Sequence, residues 1–247
     1  MTLSYDGYNL EADFICGDPK IQILNSKPNL VDAESNNGSI FIGTRYGTST
    51  VEFTIAATGT PTERRNKFST LGQKLFVSSP KKLILPETPD RYYLAVAQGA
   101  LDLQRCFDGE YATLTFTLTD PVAYSVQERT VTSSGTAAFT VGGTAPTYIS
   151  VRSTAATSTA YPNYWGVYVT NSYEAPTTNT FMRAVIGNSS DPTTVDINSE
   201  LRTFKVGSSA VVPTYDSKWL KSNPGYCQVG RKHGDGEFTV RWRDRWY

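Results

Sequence analysis

The chain has 247 residues and a formal net charge of zero, with 23 Lys and Arg against 23 Asp and Glu. It therefore lacks the basic excess by which proteins attract nucleic acid or anionic membranes over long range, and no apolar run approaches the roughly 20 residues of a membrane-spanning helix. The length suits one large or two modest domains. A 12% aromatic content, with 15 Tyr in Thr-rich and Gly-punctuated text, favours β structure.

The cysteines and the first ten residues indicate where the protein folds. Cys16, Cys106 and Cys227 are odd in number and far apart, so they form neither a disulfide framework nor a CxxC metal clip. Residues 1–10 lack the charged and then apolar pattern of a signal peptide. We therefore expect a cytoplasmic protein with reduced, mostly buried cysteines and with no metal or other cofactor.

The first half of the sequence reads mainly as β-strands. Residues 39–56 (SIFIGTRYGTSTVEFTIA) contain two runs rich in Ile, Phe, Thr and Val on either side of residues 45–47. This arrangement predicts a strand, a turn and a strand. Further strands are predicted at residues 83–85 and 91–97, and at residues 111–118, where apolar and polar residues alternate as in a half-buried strand.

One segment of this half has a helical period. Within residues 62–77 the apolar positions are Phe68, Leu71, Leu75 and Phe76. Their spacing predicts an amphipathic α-helix with Thr60 or Thr62 as its N-cap. The first turns carry Glu63, Arg64, Arg65 and Lys67. These charges are typical of a solvated helix face, and the alternative is that they line a lumen.

A domain boundary is predicted near Gln127. Residues 125–147 are small, polar and glycine-rich, as expected of a stretch that few contacts cross. We therefore predict domains at residues 1–127 and 128–247. Short strand-like runs between turn signals predict a β-sandwich or jelly roll for the second domain. These runs lie at residues 148–152, 165–170, 181–186, 194–197, 201–206 and 238–242.

An Asp-Gly pair precedes the last strand-like run of each half. Asp108-Gly109 precedes the run YATLTF, and Asp235-Gly236 precedes FTVRW. Asp-Gly favours a tight hairpin because both central residues of that turn require positive φ. Each domain is therefore predicted to finish on a hairpin strand.

The first half places its elements in a recognisable order. A strand hairpin is followed by the charged helix TERRNKFSTLGQKLF, the segment KKLILPETPDRYYLAVAQGALDL, and the closing GEYATLTFTLTDPVAYS with Phe116, Asp120, Pro121 and Tyr124. This order resembles the N-terminal domain of phage distal tail proteins. The likeness covers residues 1–125. The resemblance implies a mainly β fold, in which the N-terminal domain is a tail-tube-like β-sandwich with one α-helix.

The second half resembles the galectin-like β-sandwich that many of these proteins append. The markers are the strand start at residues 195–198, the segment YDSKWL at residues 215–220, and the loop at residues 223–226 (NPGY). The family often has Pro-Gly-x-Asn in that loop, and here Cys227 stands where Asn would be. The resemblance implies a galectin-like or jelly-roll C-terminal domain.

The resemblance also implies a function, which is structural and not enzymatic. It implies a homo-hexameric hub that joins the tail tube protein to the tail tip or baseplate and its receptor-binding proteins. The genome would pass through the lumen without sequence-specific binding, and no membrane would be contacted. The expected location is the virion, at the phage tail tip, after assembly in the cytoplasm of the host bacterium.

Candidate catalytic residues are few. His233 is the only histidine, and its loop-like surroundings, RKHGDG, favour a solvated residue over a member of a triad. Asp108 with Glu110, and Asp235 with Glu237, are carboxylate pairs of the kind that glycoside hydrolysis uses. Because each pair adjoins an Asp-Gly turn signal, we interpret them as turn residues, and a glycan hydrolase remains the weakest hypothesis.

An aromatic cluster in the second half supports the alternative function. Tyr161, Tyr164, Trp165 and Tyr168 could stack on sugars, so Tyr164, Trp165 and Tyr168 are candidate carbohydrate or partner contacts. Strand alternation places Trp165 with Val167 on one face and Tyr164 with Tyr168 on the other, which makes one set core. The alternative hypothesis is therefore a carbohydrate-binding β-sandwich that aids adsorption to the host surface.

The C-terminal residues 241–247 (RWRDRWY) interleave cations with aromatic rings. Such a run can bind nucleic acid by phosphate contact and stacking, but Arg and aromatic residues are also enriched in protein interfaces. If the strand continued, Trp242, Asp244 and Trp246 would share one face and the three arginines the other. Without a net basic charge, we favour a terminal strand or a subunit contact.

Overall fold

The structure is a computed structural model, and it describes residues 3–22, 25–32, 38–99, 101–106, 109–159, 163–171, 180–187 and 189–247. The chain divides into two compact units. The first unit comprises residues 1–124 together with Tyr247, and the second comprises residues 125–246. Each unit has its own hydrophobic core. The sequence-based prediction of a mainly β chain is confirmed.

The first unit is built on one curled antiparallel sheet and a separate two-stranded ribbon. Its strands are β1 (Ser4–Tyr5), β2 (Tyr8–Asn9), β3 (Ile15–Cys16), β4 (Lys20–Ile21), β5 (Ser26–Asp32), β6 (Ser39–Tyr46), β7 (Ser49–Ala57), β8 (Lys81–Ile84), β9 (Arg91–Gln98), β10 (Gln104–Cys106), β11 (Gly109–Leu118) and β12 (Ala123–Ser125). A 3-10 turn spans Leu10–Ala12, and helix α1 spans Pro61–Leu75. The sheet runs β2-β1-β8-β9-β11-β7-β3, with β10 beside β11 and β4 beside β7.

Strands β7 and β11 form the centre of this sheet. They pair from Glu110 opposite Ala57 to Leu118 opposite Ser49 without a register shift. Alternate residues face the core, and the buried ones on the two strands are Val51, Phe53, Ile55, Ala57, Ala112, Leu114, Phe116 and Leu118. The ring of Phe116 lies 4.7 Å from that of Tyr5 and 5.9 Å from that of Phe53. The alternation predicted for residues 111–118 is thus confirmed.

Helix α1 begins at Pro61, and its cap is Thr60, one of the two predicted residues. The Thr60 hydroxyl accepts from the Glu63 backbone N–H, and the Glu63 carboxylate accepts from the Thr60 N–H at 2.7 Å, which is a complete capping box. Phe68 and Leu71 are buried against the sheet. Phe76 is 93% exposed, so its predicted place on the apolar helix face is wrong. The helix ends at Leu75, and Phe76 has already left the helical conformation.

We expect Thr60→Ala to destabilise the first unit by about 1 kcal/mol, because the substitution leaves the first-turn N–H groups without the cap. Denaturant unfolding followed by far-UV circular dichroism measures this loss. Thr62→Ala, inside the exposed first turn, is the control and should have little effect. All four Trp lie in the second unit, at positions 165, 219, 242 and 246. An equal shift of the Trp fluorescence transition would contradict a local capping role.

Both strands predicted within residues 39–56 are present, as β6 and β7, but they do not pair with each other as a hairpin. Strand β6 pairs with β5, from Ser26 opposite Tyr46 to Asp32 opposite Ser39, and the two form a separate two-stranded ribbon. Strand β7 has no edge to offer, because β11 occupies one edge and β3 and β4 occupy the other. Asn25 fixes the crossing between the two elements, since its carbonyl accepts from the Gly47 N–H and its side-chain amide donates to the Thr48 carbonyl.

The second unit is a β-sandwich, as predicted. Its strands are β13 (Arg129–Ser133), β14 (Thr136–Val141), β15 (Thr147–Tyr148), β16 (Ser150–Ser158), β17 (Tyr164–Val169), β18 (Thr180–Val185), β19 (Ser189–Asn198), β20 (Thr203–Val206), β21 (Ser209–Ala210), β22 (Lys221–Ser222), β23 (Gly225–His233), β24 (Phe238–Trp242) and β25 (Arg245–Trp246). One sheet runs β13-β24-β16-β19-β20-β21 and the other β14-β23-β17-β18. Both sheets contribute to one core, for example through Val240 and Trp165.

The glycine-rich stretch at residues 125–147 is not an unstructured boundary. It contains β13, which pairs with β24, and β14, which pairs with β23, so it supplies an outer strand to each sheet of the sandwich. Small residues still alternate there, and Ala137 and Val141 are buried. Composition alone did not reveal β14, because its inward positions are filled by the small residues Ala137 and Val141.

Of the two predicted hairpins, only the first is formed. Strand β10 pairs with β11, with Cys106 opposite Gly109, although Asp108 lies outside the described residues. Strands β23 and β24 belong to different sheets, so Asp235-Gly236 is a crossing and not a hairpin. Gly236 has φ of +107°, and a Cβ there would lie 2.3 Å from the Ala155 carbonyl oxygen. Glycine is required because the crossing chain passes directly against β16.

Candidate functional site

The β5–β6 ribbon carries apolar side chains that the rest of its unit does not cover. Between 47% and 62% of the surface of each of these residues is exposed: Leu30, Val31, Ile40, Phe41 and Ile42. Leu30 lies opposite Phe41 and Val31 opposite Ile40, so apolar pairs occur on both faces of the ribbon. Exposed apolar patches of this kind mark interaction surfaces. The sequence signal was the unbroken run Ile40–Phe41–Ile42, which a half-buried strand would not have.

A groove in the first unit lies between helix α1 and the residues that precede and form β10. Its volume is about 540 Å³, and its lining residues are Arg65, Phe68, Ser69, Gly72, Leu101, Leu103, Arg105 and Glu110. Leu103 is 47% exposed. A Cβ on Gly72 would meet no atom within 4 Å, so the helix is open on this side. The groove therefore offers an apolar floor with arginines at its rim.

Glu110 is buried at the base of this groove and is engaged by two arginines. Its Oε1 lies 3.3 Å from Nε of Arg105 and 3.9 Å from Nε of Arg64. Arg64 is only 15% exposed, which argues against its place on a solvated helix face. Asp108, which was considered together with Glu110 as a carboxylate pair, lies outside the described residues. The observed contacts give Glu110 an ion-pairing role within the unit.

The second predicted carboxylate pair acts through its backbone. The Asp235 carbonyl accepts from Nε1 of Trp165 at 3.1 Å, and the Glu237 carbonyl accepts from the Ser153 hydroxyl at 2.6 Å. The Asp235 carboxylate is 63% exposed and lies 3.7 Å from Nη2 of Arg231. These contacts hold the crossing between the two sheets, which gives the pair a structural role although it does not form the predicted hairpin turn.

The aromatic residues of β17 divide between two faces, as alternation predicted. Trp165, Val167 and Val169 have no exposed surface and belong to the core. Tyr164 and Tyr168 lie on the outer face of the four-stranded sheet and are partly exposed. Tyr161 lies outside the described residues. Because the indole of Trp165 is enclosed, a sugar or partner would contact this strand through Tyr164 and Tyr168.

Two glycines shape this outer face. Tyr168 lies opposite Gly230, and a Cβ on Gly230 would lie 2.3 Å from Cζ and Oη of Tyr168. The phenol ring therefore lies against the neighbouring strand. Gly166 lies between Arg183 on β18 and His233 on β23. Nη1 of Arg183 reaches across it to within 2.9 Å of Nε2 of His233.

Arg183 is the centre of a polar network that the sequence did not reveal. Its Nη2 lies 2.8 Å from the Asp216 carboxylate, and its Nε donates to the Thr214 hydroxyl at 3.3 Å. Its guanidinium carbon lies 5.0 Å from the ring centre of Tyr164 and 5.3 Å from that of Phe181. These contacts hold the arginine in one orientation over the sheet. No helical or strand period marks such a residue, since its partners come from distant segments.

His233 is not the solvated loop residue that the sequence predicted. It ends strand β23, is partly buried, and contacts Arg183 and the ring of Tyr164. Burial lowers the pKa of the imidazole, the positive charges of Arg183 and Lys232 lower it further, and Asp216 opposes them. The contact with Arg183 suits a neutral imidazole, whose Nε2 accepts the hydrogen bond.

We expect His233 to titrate below the ordinary value of about 6.5, and Arg183→Met to raise its pKa because one of the two nearby cations is removed. Nuclear magnetic resonance of the imidazole protons measures this directly, since the chain has one histidine. The folded state binds the proton less readily than the unfolded state, so the second unit should lose stability as pH falls below about 6.5.

Arg152→Met is the matched control, because Arg152 lies exposed on β16 of the other sheet. This variant should leave the titration of His233 unchanged. Equal effects of the two substitutions would contradict a local influence of Arg183.

The arginines of the C-terminal run are used inside the second unit. Arg243 Nη1 donates to the Ser125 carbonyl at 3.1 Å, and Arg245 Nη1 donates to the Pro146 carbonyl at 3.0 Å. Asp244 is buried and lies 3.0 Å from Nη2 of Arg129. Arg245 is buried as well. Strand β24 ends at Trp242, so the strand does not continue and the division into two faces, which depended on its continuing, does not arise. A short terminal strand, β25, follows at Arg245–Trp246.

Within the described ranges, no helix is long and apolar enough to cross a membrane, and no group of three or more His, Cys, Asp or Glu is placed to hold a metal ion. Cys227 is a buried free thiol and Cys16 is a partly buried one, whereas the side chain of Cys106 is outside the description.

Comparison with known proteins identifies the fold. No protein-family model and no curated protein matches the sequence. SPP1 Dit (gp 19.1), a paradigm of the hub adsorption apparatus in phages that infect Gram-positive hosts, matches with a TM-score of 0.80 at 16% identity, over 100% of this chain and 99% of that one. The resemblance to phage distal tail proteins is thus confirmed at the level of fold, across both units.

Two baseplate structures match less closely. The phage P2 baseplate in its activated conformation, with Ca and with Sr, gives TM-scores of 0.50 and 0.51 at 10% and 11% identity. Both matches cover 96% of this chain and 92% and 93% of the respective structures. The fold is therefore shared with chains found in phage baseplates.

Proposed function

We propose that this protein is a structural hub of a phage tail, and that it performs no catalysis. The observation that carries the proposal is the match to SPP1 Dit, which extends over the full length of both chains at a TM-score of 0.80. A fold alone permits several functions. The ribbon and groove of the first unit support an assembly role independently of that likeness, because they are mainly apolar surfaces that the fold of the chain leaves exposed.

The proposed assembly is a homo-hexameric ring. Residues 1–127 would form the ring and continue the wall of the tail tube, with the genome passing through its lumen. Residues 128–247, as a galectin-like sandwich, would hold tail-tip or baseplate proteins, including receptor-binding proteins. The virion is the proposed location, after assembly in the bacterial cytoplasm. A ring whose rotation closes requires a heterologous interface, in which each copy presents two different patches.

The ring is tested by solution mass. Six copies of 27.2 kDa give about 163 kDa, and light scattering with negative-stain images should show a ring with a central hole. Phe41→Asp should shift the protein to smaller species, because it places a charge in an apolar contact that association would bury. Leu201→Asp changes a residue of the second unit that is 70% exposed, and this control should leave the ring intact. A wild-type chain that stays monomeric contradicts the ring.

Carbohydrate binding is a second candidate function, and the orientation of Tyr168 favours it. The ring lies against Gly230 on the outer face of the four-stranded sheet. An aromatic ring that lies along a sheet can stack on the apolar face of a pyranose. Lys232 and Gln228 lie on the same strand as Gly230 and can supply hydrogen bonds. Such binding would aid adsorption to the host surface.

If Tyr168 is a stacking platform, Tyr168→Ala should weaken binding of host cell-wall polysaccharide about tenfold or more, in line with the loss of 1–3 kcal/mol that removal of a stacked ring costs elsewhere. Titration calorimetry measures the affinity. Tyr226→Ala is the control, since Tyr226 is 61% exposed on the same sheet. Absence of binding by the wild-type protein would exclude this function, and equal losses in both variants would exclude this position.

A further inference from the structure

We propose that the β5–β6 ribbon of one copy lies in the groove between α1 and β10 of the next copy. This inference rests on the proposed ring and specifies which two surfaces form its repeating contact. Both surfaces belong to the first unit, both are apolar and both are open in the single chain. They differ from each other, as the two sides of a heterologous interface must.

The groove is long enough for about half of the ribbon. Strand β5 has seven residues and spans about 23 Å at roughly 3.3 Å per residue. The part of helix α1 that lines the groove, from Arg65 to Gly72, spans about 12 Å at 1.5 Å per residue. A ribbon laid along the helix would therefore be covered over about half of its length. Its apolar pair Leu30 and Phe41 would meet Leu103 and the ring of Phe68, while Gly72 leaves space beside the helix.

Charge gives the contact a direction. The rim of the groove carries Arg65 and Arg105, and the Arg105 side chain is 78% exposed. The far end of the ribbon carries Asp32, whose carboxylate accepts from the Ser39 hydroxyl at 2.6 Å. The other end has two cations, because Lys27 lies opposite Arg45. Placing Asp32 at the arginines and the cations away from them is the favourable orientation.

The contact would bury apolar side chains of the ribbon over the groove without leaving a buried charge unpaired. The one carboxylate at the base of the groove, Glu110, is already held by Arg64 and Arg105. An incoming apolar ribbon would therefore leave no unpaired acid beneath it. The ribbon has apolar residues on both faces, so one face would contact the groove and the other would remain for a further copy or for the tail tube.

Charge reversal across the contact tests the pairing. Asp32→Arg and Arg65→Glu should each raise the concentration for half-assembly about tenfold, and the double variant should return it toward the wild-type value. Arg152→Glu, on the second unit, is the control for a change of net charge and should have no effect. Light scattering over a dilution series gives these concentrations. Two single losses without recovery in the double variant would overturn the pairing of Asp32 with Arg65.

A cross-link tests the position directly. A chain with Phe41→Cys is mixed with a chain carrying Leu103→Cys, and mild oxidation should join the two different chains, whereas neither chain alone should form this product. Phe41→Cys mixed with Leu201→Cys is the control pair. Rings of about 163 kDa that give neither charge rescue nor the cross-link would overturn this inference and leave the ring proposal standing. Absence of rings in the wild-type protein would instead contradict the proposed ring itself.

Discussion

The pairing of β7 with β11 determines most of what is unusual in the first unit. The two strands stay in register from Ser49 opposite Leu118 to Ala57 opposite Glu110, and their inward residues fill the core. Strands β3 and β4 take the remaining edge of β7. Because β7 has no free edge, β6 cannot pair with it, although the two strands are consecutive in the chain. It pairs with β5 instead, and its apolar residues are left outside the core. The exposed ribbon is thus a consequence of a saturated central strand.

Local signals in the sequence predicted the elements more accurately than their partners. The alternation at residues 111–118 and the cap at Thr60 are short-range patterns, and the structure has both. At residues 39–56 both strands were predicted, but not their partners, because a turn signal does not reveal whether the neighbouring strand already has both edges paired. Asp235-Gly236 failed for a related reason. Positive φ at Gly236 suits a sheet crossing as well as a hairpin, and only the location of Ala155 distinguishes them.

The candidate surfaces show the same limit. The sequence drew attention to Tyr164 and Tyr168 because they adjoin a tryptophan, but Arg183 had no neighbour in the sequence that would explain it. Its partners, Asp216 and His233, are 33 and 50 residues away along the chain. Nothing in the sequence marks Gly166 and Gly230 as important. Because these glycines have no side chain, Arg183 and Tyr168 can cross to the neighbouring strands. The polar contacts of this face therefore depend on two residues that have no functional group of their own.

The balance of charge bears on how such a chain can assemble. A ring of identical subunits brings any excess charge together as many times as there are copies, and self-repulsion would then oppose closure. A chain with 23 cations and 23 anions avoids this cost at neutral pH. Arg243 and Arg245 donate to carbonyl groups of their own unit, and Glu110 is paired with arginines of its own unit. Burial of apolar area is therefore left as the main source of association free energy. In the proposed contact, charge would select which end of the ribbon meets the rim of the groove. Because the rim is exposed, that selection should be the part of assembly most sensitive to salt.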